Sequence, residues 1–404
     1  MNTKYKPNSQ ISNKLSSPKN TLISLAFMFG LFMPDGNLFY YLVPIFILIL
    51  AIRYHKFQDA LISQYLIIIL ICVSFFLHAI TNSDDGDIKG YLRNIVIVEM
   101  FLFYPFAKAI KISNAYLYFA LIYIFISQIS YMIGIDPLIT FFNDYYPYEG
   151  DRYWYQSDYL ISNADSMSLI NRNFRLGGLF HNANLCAIFL TIILAVYLIE
   201  NFGKSIKYKL PFIIIYSMAI VGTGSRTGFF VSFLIIIYSI YLRYKNIRNV
   251  VSYIYMLVAL VGVTVFIYLL SSGIASDLRF LDYEEGLEKS FFVKVQILVH
   301  YLLSDPSLLH FLFGNFINAG SNFIQFDSEI GELIYNFGFT ALIAWLLFFR
   351  MIYKRMDPNH RMFFIIFLWT LTATLMFAYR VGFVFMLILS KYDSGSLKIN
   401  YKNI

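Results

Sequence analysis

Apolar runs recur along almost the whole chain, near 21–33, 38–52, 61–80, 91–107, 114–134, 182–199, 210–222, 227–242, 249–271, 330–349, 362–378 and 381–390. A full bilayer crossing takes about 20 residues at about 1.5 Å of rise each. The first, seventh and last runs fall short, so they extend into flanking polar residues or are broken. Composition agrees with a lipid environment: 59% of residues are hydrophobic and 14% charged. A soluble domain is about half apolar and about a quarter charged. The expected fold class is an all-α polytopic membrane protein with about 12 transmembrane helices. A transmembrane barrel would show alternating segments of about ten residues, and none is visible.

Charge orients the runs. With the N-terminus inside, the cytoplasmic segments hold 21 of the 31 Lys and Arg residues, and 19 of the 24 acids lie outside. This is the positive-inside bias. It predicts cytoplasmic tails at 1–20 and 391–404, a single transmembrane domain over 21–390, and two long external loops near 135–181 and 272–329. The loops are rich in Tyr, Trp and Phe, which predicts that they are ordered. The net charge of +7 is then an orientation signal and not a nucleic-acid patch. Cys72 and Cys186 both lie in apolar runs and supply neither a disulfide framework nor a metal cluster.

Several polar features interrupt this pattern. Arg175, His181, Asn182 and Asn184 crowd the external mouth of the sixth run. Gly222-Thr-Gly-Ser-Arg-Thr-Gly228 joins the seventh and eighth runs. Leu210 to Val221 makes only about 18 Å of helix against about 30 Å of hydrocarbon. Unless the helix starts early, within Lys204–Lys209, the break lies below the outer surface, where irregular backbone must line protein or a wet cavity. The start of the eighth helix beside Arg226 would favour an anion. The other reading is a tight turn whose arginine reaches the headgroups.

Asp327-Ser-Glu-Ile-Gly-Glu-Leu-Ile-Tyr-Asn336 opens the tenth run. Glu329, Glu332 and Asn336 follow i, i+3, i+7 and share one helix face. Carboxylates on a spanning helix must face the bundle interior or water, and such groups suit a general base. A solvated helix start with dipole-stabilised acids is the plainer alternative. Six external arginines, Arg152, Arg172, Arg175, Arg226, Arg279 and Arg380, run against the charge bias. They are candidate phosphate ligands or partners of the external acids. The stretch 145–155, which includes Tyr153 and Trp154, is either an interfacial aromatic belt or a sugar platform. Glu99, inside the fourth run, is an intramembrane acid or a helix–helix hydrogen-bond partner. No nucleotide loop, HExxH, GxSxG or Cys/His metal spacing is present, so no cofactor is expected.

Taken in order, these motifs resemble those of the O-antigen polymerase and ligase superfamily, the Wzy-like membrane glycosyltransferases. The resemblance rests on Arg175-Leu-Gly-Gly-Leu-Phe-His-Asn-Ala-Asn184, on Ser225-Arg226-Thr227, on Arg279 early in the late external loop, and on Asp327 with Gly338 eleven residues on. It covers roughly 170–350. Ala183 replaces a proline of the pattern, and Asp327-Ser328 stands where the ligases carry His-Asn, which favours a polymerase. The resemblance implies a GT-C-like, metal-independent inverting glycosyltransferase of the bacterial inner membrane with its active site facing the periplasm. Its substrates would be undecaprenyl-diphosphate-linked oligosaccharides, with membrane lipids and a chain-length regulator as further partners. Arg175, Arg226, Arg279, His181, Asn184, Tyr153 and Trp154 would bind diphosphate and sugar. Asp327, Glu329 or Glu332 would activate the acceptor, with His181 as an alternative base and Arg226 assisting catalysis. A ligase and a lipid-linked oligosaccharide transporter or flippase are the rival expectations.

Overall fold

The computed structural model describes residues 18–33, 38–54, 65–70, 72–73, 88–107, 113–145, 178–180, 182–201, 206–243, 254, 308–314, 328–371, 373, 375 and 378–393. The described backbone is helical and contains no strand. The helices are α1 (Pro18–Phe32), α2 (Leu38–Tyr54), α3 (Ile88–Ala107), α4 (Ala115–Ile133), α5 (Asp136–Tyr145), α6 (Ala183–Glu200), α7 (Ile206–Gly222), α8 (Arg226–Arg243), α9 (Leu308–Phe313), α10 (Glu329–Arg355) and α11 (Tyr379–Tyr392), with a 3₁₀ helix at Pro358–Leu371 between the last two. Two of them, α6 and α10, are long and apolar enough to cross a membrane. Large apolar side chains also stay exposed on outer faces, among them Phe29, Ile49, Phe119, Phe230 and Ile343.

α6 is the axis of the bundle. Fifteen of its eighteen residues are buried, so it is apolar all round and covered by protein on every side. It packs against α4, α7, α8, α11 and the 3₁₀ helix. Small residues set the closest approach: a Cβ on Gly228 of α8 would lie 2.8 Å from Ala187 Cβ, which is the small-residue packing that membrane helices favour. Tyr197 of α6 and Phe212 of α7 stack with centroids 3.5 Å apart. Trp369 of the 3₁₀ helix donates its indole N–H to Thr191 Oγ1 at 3.3 Å.

Some elements differ from the sequence expectation. α7 starts at Ile206, inside the polar Lys204–Lys209 stretch, so this helix is seventeen residues long and the early start is the one that occurs. Lys209 is buried. The run at 362–378 is not one α-helix. It is wound as a 3₁₀ helix to Leu371. Buried Phe363, Ile366 and Trp369 recur every three residues, which is the period that keeps one face of a 3₁₀ helix inward. The expected loop at 135–181 begins with helix. Gly134, in the left-handed region at φ 76°, closes α4, and its N–H and that of Ile135 donate to Ser130 O. The chain then folds back as α5, whose Phe142 ring meets Tyr123 edge-on at 5.3 Å.

One end of the bundle is tied by polar side chains. Arg355 Nε lies 2.9 Å from Asp393 Oδ1, with both side chains buried. Tyr104 donates to Asp393 Oδ2 at 2.9 Å, and Tyr118 to Glu200 Oε2 at 2.6 Å. These bonds join the ends of α3, α6, α10 and α11 and the start of α4. Arg355, Asp393 and Glu200 belong to segments that the charge bias assigns to the cytoplasm, and Tyr104 and Tyr118 lie at that end of their runs. Asp393→Ala leaves a buried guanidinium without this carboxylate, which costs about 3–5 kcal/mol. The purified protein should show a clearly lower midpoint in thermal unfolding. An unchanged midpoint would mean that the pair holds nothing together.

Candidate functional site

At the opposite end, α6 and α8 begin side by side. Asn182 caps α6: its backbone is extended and its Oδ1 accepts the Asn184 N–H at 2.7 Å. Ser225 caps α8 by accepting the Gly228 N–H at 3.3 Å. The same hydroxyl donates to Asn184 Oδ1 at 3.2 Å, which joins the two caps directly. The turn before Ser225 is closed by its own residues. Thr223 Oγ1 donates to Ile220 O at 2.7 Å and accepts the Ser225 N–H at 3.2 Å. Gly224 takes φ 58°, which a side chain would resist. Thr223 and Ser225 are buried, so the turn is a fixed part of the bundle.

Two parallel helix dipoles therefore present their positive ends at one place. Arg226 is the first residue of α8 and is half-buried there. Neighbouring helix starts with an arginine in the first turn form an anion-binding arrangement. Asn184 and Arg226, far apart in sequence, are brought together through Ser225.

Glu329 and Glu332 open α10 and are both fully buried. Ser328 caps this helix through the Gly331 N–H at 3.4 Å and donates to Thr370 O at 3.1 Å. Glu329 N–H donates to Ala373 O at 3.2 Å, and Glu329 Oε2 accepts the Leu375 N–H at 2.5 Å. One oxygen of Glu329 thus closes the backbone of the segment after the 3₁₀ helix. Glu332 lies one turn further along the same face and is buried as well. Thr191, which holds Trp369, lies seven residues, about 10 Å, down α6 from Asn184. The acid turn is thereby set deeper in the bundle than the paired caps. Asn336 is half-buried on the next turns.

Arg380 was a candidate anion ligand by its sequence position, and the structure gives it a structural role. It is buried, and its guanidinium donates to Leu179 O and to Met33 O. It also lies 5.6 Å from the Phe180 ring centroid. It therefore pins the residues just before the Asn182 cap to the end of α1. Sequence reasoning missed this because main-chain carbonyls carry no residue identity. The Asn182 and Ser225 caps were visible in principle, as Asn and Ser immediately before apolar runs. On α3, Glu99 is buried and its Oε2 has no hydrogen-bond partner among the described residues. The helix–helix bond considered for it is not made at that oxygen. Arg175, Arg279, His181, Asp327, Tyr153 and Trp154 lie outside the described residues, as do Arg152 and Arg172.

No family model matches this sequence, and no curated protein and no solved structure matches it.

Arg380→Lys and Arg380→Ala should both lower the unfolding midpoint, because an ammonium cannot reproduce a fork that bridges two carbonyls. Ser225→Ala should cost about 1 kcal/mol through loss of the cap. Arg226→Ala, at a half-buried helix start, should lower the midpoint less than Arg380→Ala does. Equal midpoints for all four proteins would remove the distinction between the Arg380 clamp and an Arg226 ligand.

Proposed function

We propose that this chain is a membrane glycosyltransferase that polymerises undecaprenyl-diphosphate-linked oligosaccharide units into O-antigen or a related surface polysaccharide. The observation that carries the reading is the pairing of the α6 and α8 starts through Asn184 and Ser225, with Arg226 in the first turn. The motif resemblance supplies the substrate class. In this reading the chain crosses the bacterial inner membrane about 12 times with both ends in the cytoplasm, and the paired helix starts open towards the periplasm. The two helices of spanning length and the exposed apolar outer faces support that placement.

The chemistry follows from the parts. An acceptor sugar hydroxyl attacks the anomeric carbon of the growing chain. The bond from that carbon to the lipid diphosphate breaks with inversion, and the hydroxyl proton passes to a carboxylate. Charge develops on the departing diphosphate, where Arg226 and the helix N–H groups stabilise it. Asp327, Glu329 or Glu332 would take the proton. Arg175 and Arg279 would add positive charge from the external loops, His181 a further polar contact, and Tyr153 and Trp154 a stacking face for sugar.

The test uses a strain that lacks this gene and still makes single repeat units. Restoring the gene should convert single-unit lipopolysaccharide into a ladder, and Arg226→Ala should abolish the ladder at equal protein level. A normal ladder from Arg226→Ala would remove Arg226 from the mechanism. Polymer that accumulates on the undecaprenyl carrier in the deletion strain would instead mark a ligase. Single units trapped on the cytoplasmic face would mark a flippase.

A further inference from the structure

The structure seats α9 and Gly314 against a break in the middle of α10. Gly338 interrupts α10 with φ 75° and ψ 179°, nine residues after its first residue, or about 14 Å of helix. The segment 308–314 meets the helix at that depth. Thr340 Oγ1 donates to Leu312 O at 2.5 Å, and the Phe311 and Phe339 rings stack with centroids 4.4 Å apart.

The two backbones approach each other through two glycines, and the relation is reciprocal. A Cβ on Gly338 would lie 2.3 Å from Leu312 O and 2.5 Å from Phe313 N. A Cβ on Gly314 would lie 2.4 Å from the Asn336 carbonyl carbon and 2.5 Å from Phe337 N. Each glycine removes a side chain that would strike the other's neighbouring peptide. Both also sit at positive φ, Gly314 at 81° and Gly338 at 75°, where L side chains are strained. Either substitution therefore opposes the same contact twice, by collision and by backbone conformation.

This contact defines the outer piece of α10, Glu329 to Phe337, as a separately held unit. Its top is bonded to Thr370, Ala373 and Leu375. Its bottom rests on the glycine seat, next to Asn336 and one turn below Glu332. We propose that Gly314 and Gly338 are positioning residues: together they form a seat through which segment 308–314 sets the orientation of the carboxyl-bearing outer piece of α10. That Glu332 then serves glycosyl transfer rests on the polymerase reading. The seat itself does not.

The test measures maleimide labelling of Asn336→Cys in purified full-length protein, with Cys72 replaced by Ser and Cys186 by Ala. Asn336 lies against Gly314 only while the seat is closed. Gly314→Ala and Gly338→Ala should each raise the labelling rate about tenfold. The double variant should exceed the faster single by less than twofold, because both break one contact. Unchanged rates in folded single variants, or multiplied rates in the double, would overturn the seat. Should a glycine variant fail to fold, Thr340→Val carries the test. It removes only the hydroxyl bond to Leu312 and should raise labelling several-fold, and no rise overturns the proposal. Arg226→Ala should leave labelling unchanged. A seat that behaves as described in a protein that forms no ladder would remove the polymerase reading and leave the seat standing.

Discussion

Every backbone N–H and C=O that cannot reach water must close on a partner inside the bundle, and the polar interruptions of this chain are answers to that demand. The end of α4 closes on Ser130 O. The turn before α8 closes on Thr223 and Ser225. The break in α10 faces the Leu312 carbonyl, which Thr340 holds. The peptide at Leu375, after the 3₁₀ helix, is closed by a carboxylate. Among the described residues, the Thr223–Ser225 turn and Glu329 look chemically active in the sequence and are also places where main chain is satisfied. Glu329 shows that double duty, with one oxygen on the Leu375 N–H.

The two ends of the bundle treat buried charge differently. At one end Arg355 meets Asp393, so charge is answered by charge. At the other, Arg380 is answered by two carbonyl dipoles and an aromatic face. In the proposed reading, a lipid diphosphate would meet this end of the bundle at the α6 and α8 starts, next to helices whose outer faces are apolar.

Much of the fold was legible in the apolar runs, because burial in lipid or protein enforces hydropathy directly. The starts of α6, α8 and α10 fall within one residue of the expected runs, helped by Asn182, Ser225 and Ser328 as caps. The sequence leaves the start of α7 open between two readings, and the early one, within Lys204–Lys209, is the one that occurs. The 3₁₀ winding was illegible because a dense apolar run fits a period of three as well as 3.6. At the site, residue types showed that Asn184, Arg226, Glu329 and Glu332 were unusual. They did not show that one serine joins two helix starts, or that a glutamate and Arg380 bind main chain, since peptide groups are the same at every position.

The winding of the Pro358–Leu371 segment has a mechanical consequence. At about 2.0 Å per residue, its fourteen residues extend about 28 Å, and an α-helix of equal length would extend about 21 Å. Its far end carries Thr370, on which Ser328 is hung, and leads into the Ala373 and Leu375 contacts of Glu329. The segment is in effect a taut spacer whose pitch sets the depth of the acid turn. Relaxing a few of its residues from 3₁₀ to α would draw Glu329 and Glu332 along the bundle axis by about 0.5 Å per residue relaxed, with no change to either helix start at the rim.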